Sequence, residues 1–323
     1  MTRSFTCVAG RRAGYCARRR VAAVAWYALA ALAALGGRGV APGHIVSAAE
    51  VRFTTDFADV AKATERYAER YGPEHVLLVV DIDNTLLAMN HDLGSDQWFI
   101  WQEFLIKHEP ASPNRVADTF EGLLEVQGLL YNLGRMHPPQ PDLPALVGRI
   151  QGRGVATVVL TSRGDEFRVA TERELTRNGY DFARSALPVR DPRGGTYLPY
   201  DLEHPDQAGF TAAEVESFDL KPAKPVSYSN GIMMSSGQHK AAMLLSLLHR
   251  SDRDIQAIVY ADDHGRHVAG MFSGLVGRQI EAAVFHYQRE DVRVQAFEYG
   301  DKNDITRRWH QLRDTLDAVF EKR

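Results

Sequence analysis

Asp81-Ile82-Asp83-Asn84-Thr85 follows directly on Val76–Val80 (VLLVV), an apolar run bounded by charge. Such a run reads as a buried parallel strand, and open α/β sheets bind ligands at the carboxyl ends of their strands. Two carboxylates so close together at such a place can converge on one cation and one phosphate. A hard cation takes oxygen ligands, and magnesium uses few carboxylates while keeping several waters. One carboxylate can attack phosphorus and form an aspartyl-phosphate. The other can protonate the leaving group and then activate water. The ordinary alternative is a strand-ending turn, which Asp and Asn also favour.

Three later positions follow in order. Thr161 closes a second apolar run, ahead of Ser162 and Arg163. Lys240 opens a helical stretch, where it opposes the helix dipole by roughly 0.3–1 kcal/mol. That hints at another use, such as stabilising phosphoryl charge. Asp262-Asp263 closes a third apolar run, and adjacent buried acids repel unless a cation sits between them. Taken singly, these are a strand-end threonine, a surface lysine and a solvated turn. Their order is what argues for one site.

The elements that must position these residues alternate. Apolar runs at 76–80, 155–160 (VATVVL), 255–261 (IQAIVYA) and 282–287 read as strands. Helices are expected at 54–71, 143–151, 166–178 and 240–249, with a last one from about 304 that spaces Ile305, Trp309, Leu312, Leu316 and Phe320 helically. Strands alternating with helices predict an α/β domain with a mainly parallel sheet. Two stretches interrupt the alternation. Residues 88–141 read as largely helical, with Trp98 and Trp101 as core packing, and residues 181–239 are rich in Gly, Pro and Asp. Within the second, 228–236 (YSNGIMMSS) predicts a hairpin around Asn230-Gly231.

Asp81 to Thr85 resembles the first motif of the haloacid dehalogenase-like (HAD) superfamily, Asp-x-Asp-x-Thr, and Thr161, Lys240 and Asp262-Asp263 match its later motifs. The resemblance implies a three-layer α/β/α, Rossmann-like domain with a small helical cap at 88–141. It implies Asp81 as nucleophile and Asp83 as general acid/base. Thr85 would hold the turn, and Thr85, Thr161, Ser162, Arg163 and Lys240 would form the substrate side. It also implies magnesium (Mg2+) on Asp81, Asp83, Asp262 and Asp263. A dehalogenase proper lacks the second aspartate, so Asp83 points to phosphate monoesters. DIDNTL at 81–86, GSDQW at 94–98, LTSR at 160–163, Asn230-Gly231-Ile232 and His239-Lys240 look like a bacterial branch known as a domain of unknown function. His91, His137, His239, His264 and His267 show no metal-ligand spacing, and the pair His264 and His267 is expected on the surface.

Seven of the 38 basic residues, all arginines, fall in residues 1–49, which hold no acid; 31 basic residues remain against 41 acids. A body that acidic argues against nucleic acid as a partner. The apolar run at 21–35 is short for a spanning helix, which needs about 20 residues. Behind an arginine-rich start it reads as a signal peptide, and Val46-Ser47-Ala48 resembles a cleavage site. The expected product is an exported domain over 50–323, with no stable membrane association after cleavage. An uncleaved anchor and an amphipathic import leader are the alternatives. Cys7 and Cys16 both lie in the leader, so the mature chain has neither disulfides nor a thiol nucleophile. The expectation is a magnesium-dependent phosphatase acting on a small phosphorylated substrate. Its rivals are a phosphotransferase with the same intermediate and a non-catalytic secreted binding or effector protein on the same fold.

Overall fold

A strand that is apolar at every position must bury both faces, and this requirement sets the layers. The computed structural model describes residues 49–190 and 195–320; the expected leader and cleavage site lie outside them but for Ala49. In chain order the elements begin β1 (Ala49–Thr54), α1 (Phe57–Tyr71), β2 (Val76–Val80), β3 (Ala88–Met89), α2 (Asp96–His108), α3 (Phe120–Leu133) and β4 (Met136–His137). They continue α4 (Leu143–Gly152), β5 (Ala156–Thr161), α5 (Arg168–Arg177), α6 (Ala212–Ser217), β6 (Ser227–Ser229), β7 (Ile232–Met234) and α7 (Lys240–His249). They end β8 (Ala257–Asp262), α8 (Gly265–Leu275), β9 (Glu281–Tyr287), α9 (Asp291–Tyr299) and α10 (Asn303–Phe320).

Seven strands form one sheet in the order β1-β9-β8-β2-β5-β7-β6. Every pairing is parallel except β6 with β7. Alternate side chains divide the core. Val76, Leu78 and Val80 face one layer with Phe57, Val60, Leu143 and Val147. Leu77 and Val79 face the other with Leu244, Leu247, Val268 and Met271. The fold is a three-layer, mostly parallel Rossmann-like α/β domain. Among the described residues, no helix is long and apolar enough to cross a membrane.

The first interrupting stretch is helical, as its pattern predicts. It has a core of its own, in which Leu93, Trp98, Leu123 and Leu130 pack with Phe297, Ile305 and Trp309 of the C-terminal helices. Trp98 is buried there and Trp101 stands edge-on to Phe297. The second stretch has little regular structure but supplies Leu187, Tyr197, Tyr200, Phe210, Phe218, Leu220 and Val226 to the α7/α8 layer. Its hairpin is present: Asn230 (φ 52°) and Gly231 (φ 75°) join β6 to β7, as a twist-matched two-residue turn requires. A Cβ at Gly231 would come within 2.6 Å of the Phe182 carbonyl oxygen.

Three expectations need correcting. Residues 49–54 form an edge strand where no strand is expected, and the first helix starts at Phe57 instead of residue 54. An edge strand with Val51 and Phe53 exposed lacks the continuous apolar signature. Phe320 is exposed at the end of α10, so the apolar stripe outruns the surface it covers.

Candidate active site

β2 and β8 are adjacent and in register, so Asp81 and Asp262-Asp263 meet at the carboxyl end of the sheet's central strands. The Asp81 amide donates to the Ala261 carbonyl (3.0 Å), and the Asp263 amide donates to the Thr85 hydroxyl (3.1 Å). Asn84 takes φ 56° to turn the chain, a conformation Asn tolerates better than most residues. Thr85 is fully buried, which suits it to holding two loops together.

Lys240 stands at the first turn of α7, nearly buried, with Nζ 2.6 Å from Asp81 Oδ1 and 2.7 Å from Asp262 Oδ2. Burying an ammonium is expensive unless it is paired, and here two carboxylates pair it. Asp262 is engaged on both oxygens: Oδ2 also accepts from the Tyr260 hydroxyl, and Oδ1 accepts from the His264 amide (2.8 Å). Burial opposes its ionisation, but Lys240 holds it well below the usual carboxylate range. Asp81 differs. Burial pushes it up to about 7 against the pull of Lys240, and the charges of Asp262 and Asp83 add to the rise.

Among the described residues, Asp263 Oδ1 is buried without a partner. Burial drives this carboxyl upward; His264 opposes the rise, and Asp262, Asp96 and Asp81 reinforce it. Carboxylate oxygens of Asp81, Asp262 and Asp263 lie within 4.8 Å of one another. A second group at the same spacing joins Asp96, Asp263 and His264. Five carboxylates (Asp81, Asp83, Asp96, Asp262 and Asp263) thus face three basic groups, Lys240, Arg163 and His264. A surplus of acid with one orphaned oxygen fits a hard divalent cation.

Asp83 has a cation of its own. Arg163 donates through Nε to Asp83 Oδ2 (2.9 Å) and through Nη2 to Oδ1 (2.7 Å). Its Nη1 donates to the Thr171 hydroxyl (2.9 Å), and its guanidinium lies 3.9 Å from the Tyr131 ring centroid. Thr161 is buried at the end of β5, where its hydroxyl accepts from the Arg163 amide (3.2 Å). Ser162 stands between them, partly exposed, and its carbonyl accepts from the Gly237 amide (2.8 Å). The structure therefore gathers Asp81, Asp83, Thr85, Thr161, Arg163, Lys240, Asp262 and Asp263, although Arg163 commits its donors to protein groups.

His264 and His267, expected on the surface, are half-buried. His264 Nε2 pairs with Asp96 Oδ2 at 2.8 Å. Burial disfavours the imidazolium, but the bond to Asp96 outweighs it and raises His264 to about 10. His267 is pushed down to about 4 by burial and by Lys240. Asp96 and Tyr131 escape a reading of spacing because they reach the site from the first interrupting stretch. For Asp96, the GSDQW string is the signal in the sequence that could find it.

Chemically, the cluster offers a carboxylate with one oxygen (Asp81 Oδ2) that takes no donor among the described residues, a second carboxylate beside it, a buried ammonium and a nest of acids. A comparison with curated proteins finds no match. A family model described as a protein of unknown function (DUF2608) matches residues 54–321, and the chain belongs to that family.

Proposed function

We propose that the protein is an exported, magnesium-dependent phosphatase of the HAD-like superfamily, hydrolysing a small phosphate monoester through an aspartyl-phosphate on Asp81. The carrying observation is the Asp81–Lys240–Asp262 array beside Asp83, at the adjoining ends of β2 and β8. The order of the motifs supports the superfamily assignment, and the arginine-rich, acid-free leader supports export.

Asp81 Oδ2 forms the new bond to phosphorus while the bond from phosphorus to the ester oxygen breaks; Asp83 gives that oxygen its proton. Water then attacks the aspartyl-phosphate and passes its proton to Asp83, releasing phosphate and the Asp81 carboxylate. Lys240 keeps Asp81 oriented and offsets phosphoryl charge, with Thr161 and Ser162 at the phosphate side. Asp81 and Asp263, with the Asp83 carbonyl, would hold Mg2+, which would supply Lewis-acid stabilisation. Asp262 serves Lys240 instead.

The test is turnover of 4-nitrophenyl phosphate by purified protein with magnesium. Asp81→Asn should fold and retain less than about a hundredth of the wild-type rate, since an amide is a poor nucleophile. A greater residue of activity overturns the mechanism, and full activity after exhaustive chelation overturns the metal assignment. Product analysis with a competing alcohol separates hydrolysis from phosphotransfer.

A further inference from the structure

We propose that Arg163 is a positioning residue that aims Asp83 for proton transfer, and that the 88–141 segment forms the wall holding Arg163 in place. The inference rests on the phosphatase reading above and deepens it.

The guanidinium is buried and held at several points. Two of its nitrogens fork onto the two oxygens of Asp83, at 2.9 and 2.7 Å. A fork of this kind fixes both the place and the plane of a carboxylate. The other contacts fix the fork itself. Tyr131 of α3 lies against its face, Met136 Sδ of β4 is 3.6 Å from Nη2, and Thr171 of α5 takes Nη1. An arginine so placed cannot reach a substrate phosphate without giving up Asp83.

Each Asp83 oxygen spends one lone pair on the fork, so the proton must move through the lone pairs facing away from Arg163. General acid–base transfer needs the donor within about 2.6–3.2 Å of the reacting oxygen. A carboxylate free to rotate about two side-chain bonds would spend little time there. Because Tyr131 and Met136 come from the interrupting stretch, its seating is transmitted to Asp83. In the first step the Asp83 proton goes to the ester oxygen as the P–O bond breaks. In the second, a water proton returns to Asp83 as the new P–O bond forms.

The experiment compares two esters. The 4-nitrophenolate of 4-nitrophenyl phosphate leaves with little help, whereas the alkoxide of ethyl phosphate must be protonated. Because general acids contribute 10²–10⁴-fold, Arg163→Lys should lower kcat/KM on ethyl phosphate roughly 10- to 100-fold, and on 4-nitrophenyl phosphate by less than about threefold. It should also give a burst of 4-nitrophenolate, because the phosphorylated Asp81 then waits on a poorly aimed base. Tyr131→Leu, which keeps apolar bulk but removes the ring, should show the same ester selectivity more weakly. It decides the matter if Arg163→Lys does not fold. Equal losses on both esters would make Arg163 a phosphate ligand or a structural residue and overturn the proposal. If Asp81→Asn remains active, or wild type turns over neither ester, the phosphatase reading itself fails. If Asp81→Asn is inactive and the ester ratio is unmoved, only the role of Arg163 fails.

Discussion

Residues 88–141 and 181–239 both interrupt the strand–helix alternation, yet they contribute in different ways. The first folds into regular helices, packs with the C-terminal helices, and still delivers Asp96, Tyr131 and Met136 to the polar cluster. The second is mostly irregular, and its aromatic and aliphatic side chains complete a layer of the main core. Regularity of backbone is thus a poor guide to which insertion takes part in chemistry. What separates them is what they bring to the carboxyl end of the sheet: side chains from the first, and from the second hydrogen bonds onto the backbone, such as the Gly237 amide on the Ser162 carbonyl.

The contrast can be broken by substitution. The largest effect belongs to the second segment. Phe210 is buried, edge-on to both Tyr200 and Phe218. Phe210→Ala should cost about 3–5 kcal/mol of stability by leaving a cavity, with kcat per folded molecule unchanged. Urea unfolding and titrated activity would check this; a loss of turnover without loss of stability would erase the distinction. Next comes the first segment. Asp96→Asn should raise the magnesium concentration needed for half-maximal activity by about tenfold, as loss of a supporting carboxylate does, with a small change in thermal midpoint. An unchanged magnesium requirement together with a large loss of stability would make Asp96 a packing residue.

The smallest effect is one of pH. His239 caps α7 by accepting from the Ala242 amide (3.4 Å) and stacks on Phe218 of the second segment. Burial lowers its pKa below 6.5. A depressed value means that its share of stability is present above pH 6.5 and is lost as pH falls through the folded-state value. The stability gap between wild type and His239→Ala should therefore narrow as pH falls from 7 to 5. A gap that widens would show that the imidazolium is the stabilising form.

Much of this architecture is legible in the chain because it is local. The runs at 76–80 and 155–160 are apolar throughout, and Asp81, Thr161 and Asp262 stand at or just past the ends of such strands. The hairpin at Asn230-Gly231 is written in two residues. What escapes is set by partners distant in sequence. Arg163 reads as a phosphate ligand until Asp83, 80 residues away, is seen to take its fork. His264 reads as surface until Asp96, 168 residues away, arrives beside it. Phe210 and Tyr200 follow no period, so their burial has no signature in the sequence.

The pairing of β1 with β9 has a temporal meaning. Ala49 lies opposite Ala282, so the first strand of the sheet finds its partner only near the far end of the chain. Closing so long a loop carries an entropic cost that grows slowly with length, and pairings between distant segments slow folding. During synthesis β1 has no strand to dock on until most of the polypeptide has emerged. That side of the sheet can therefore close only once β9 has been made.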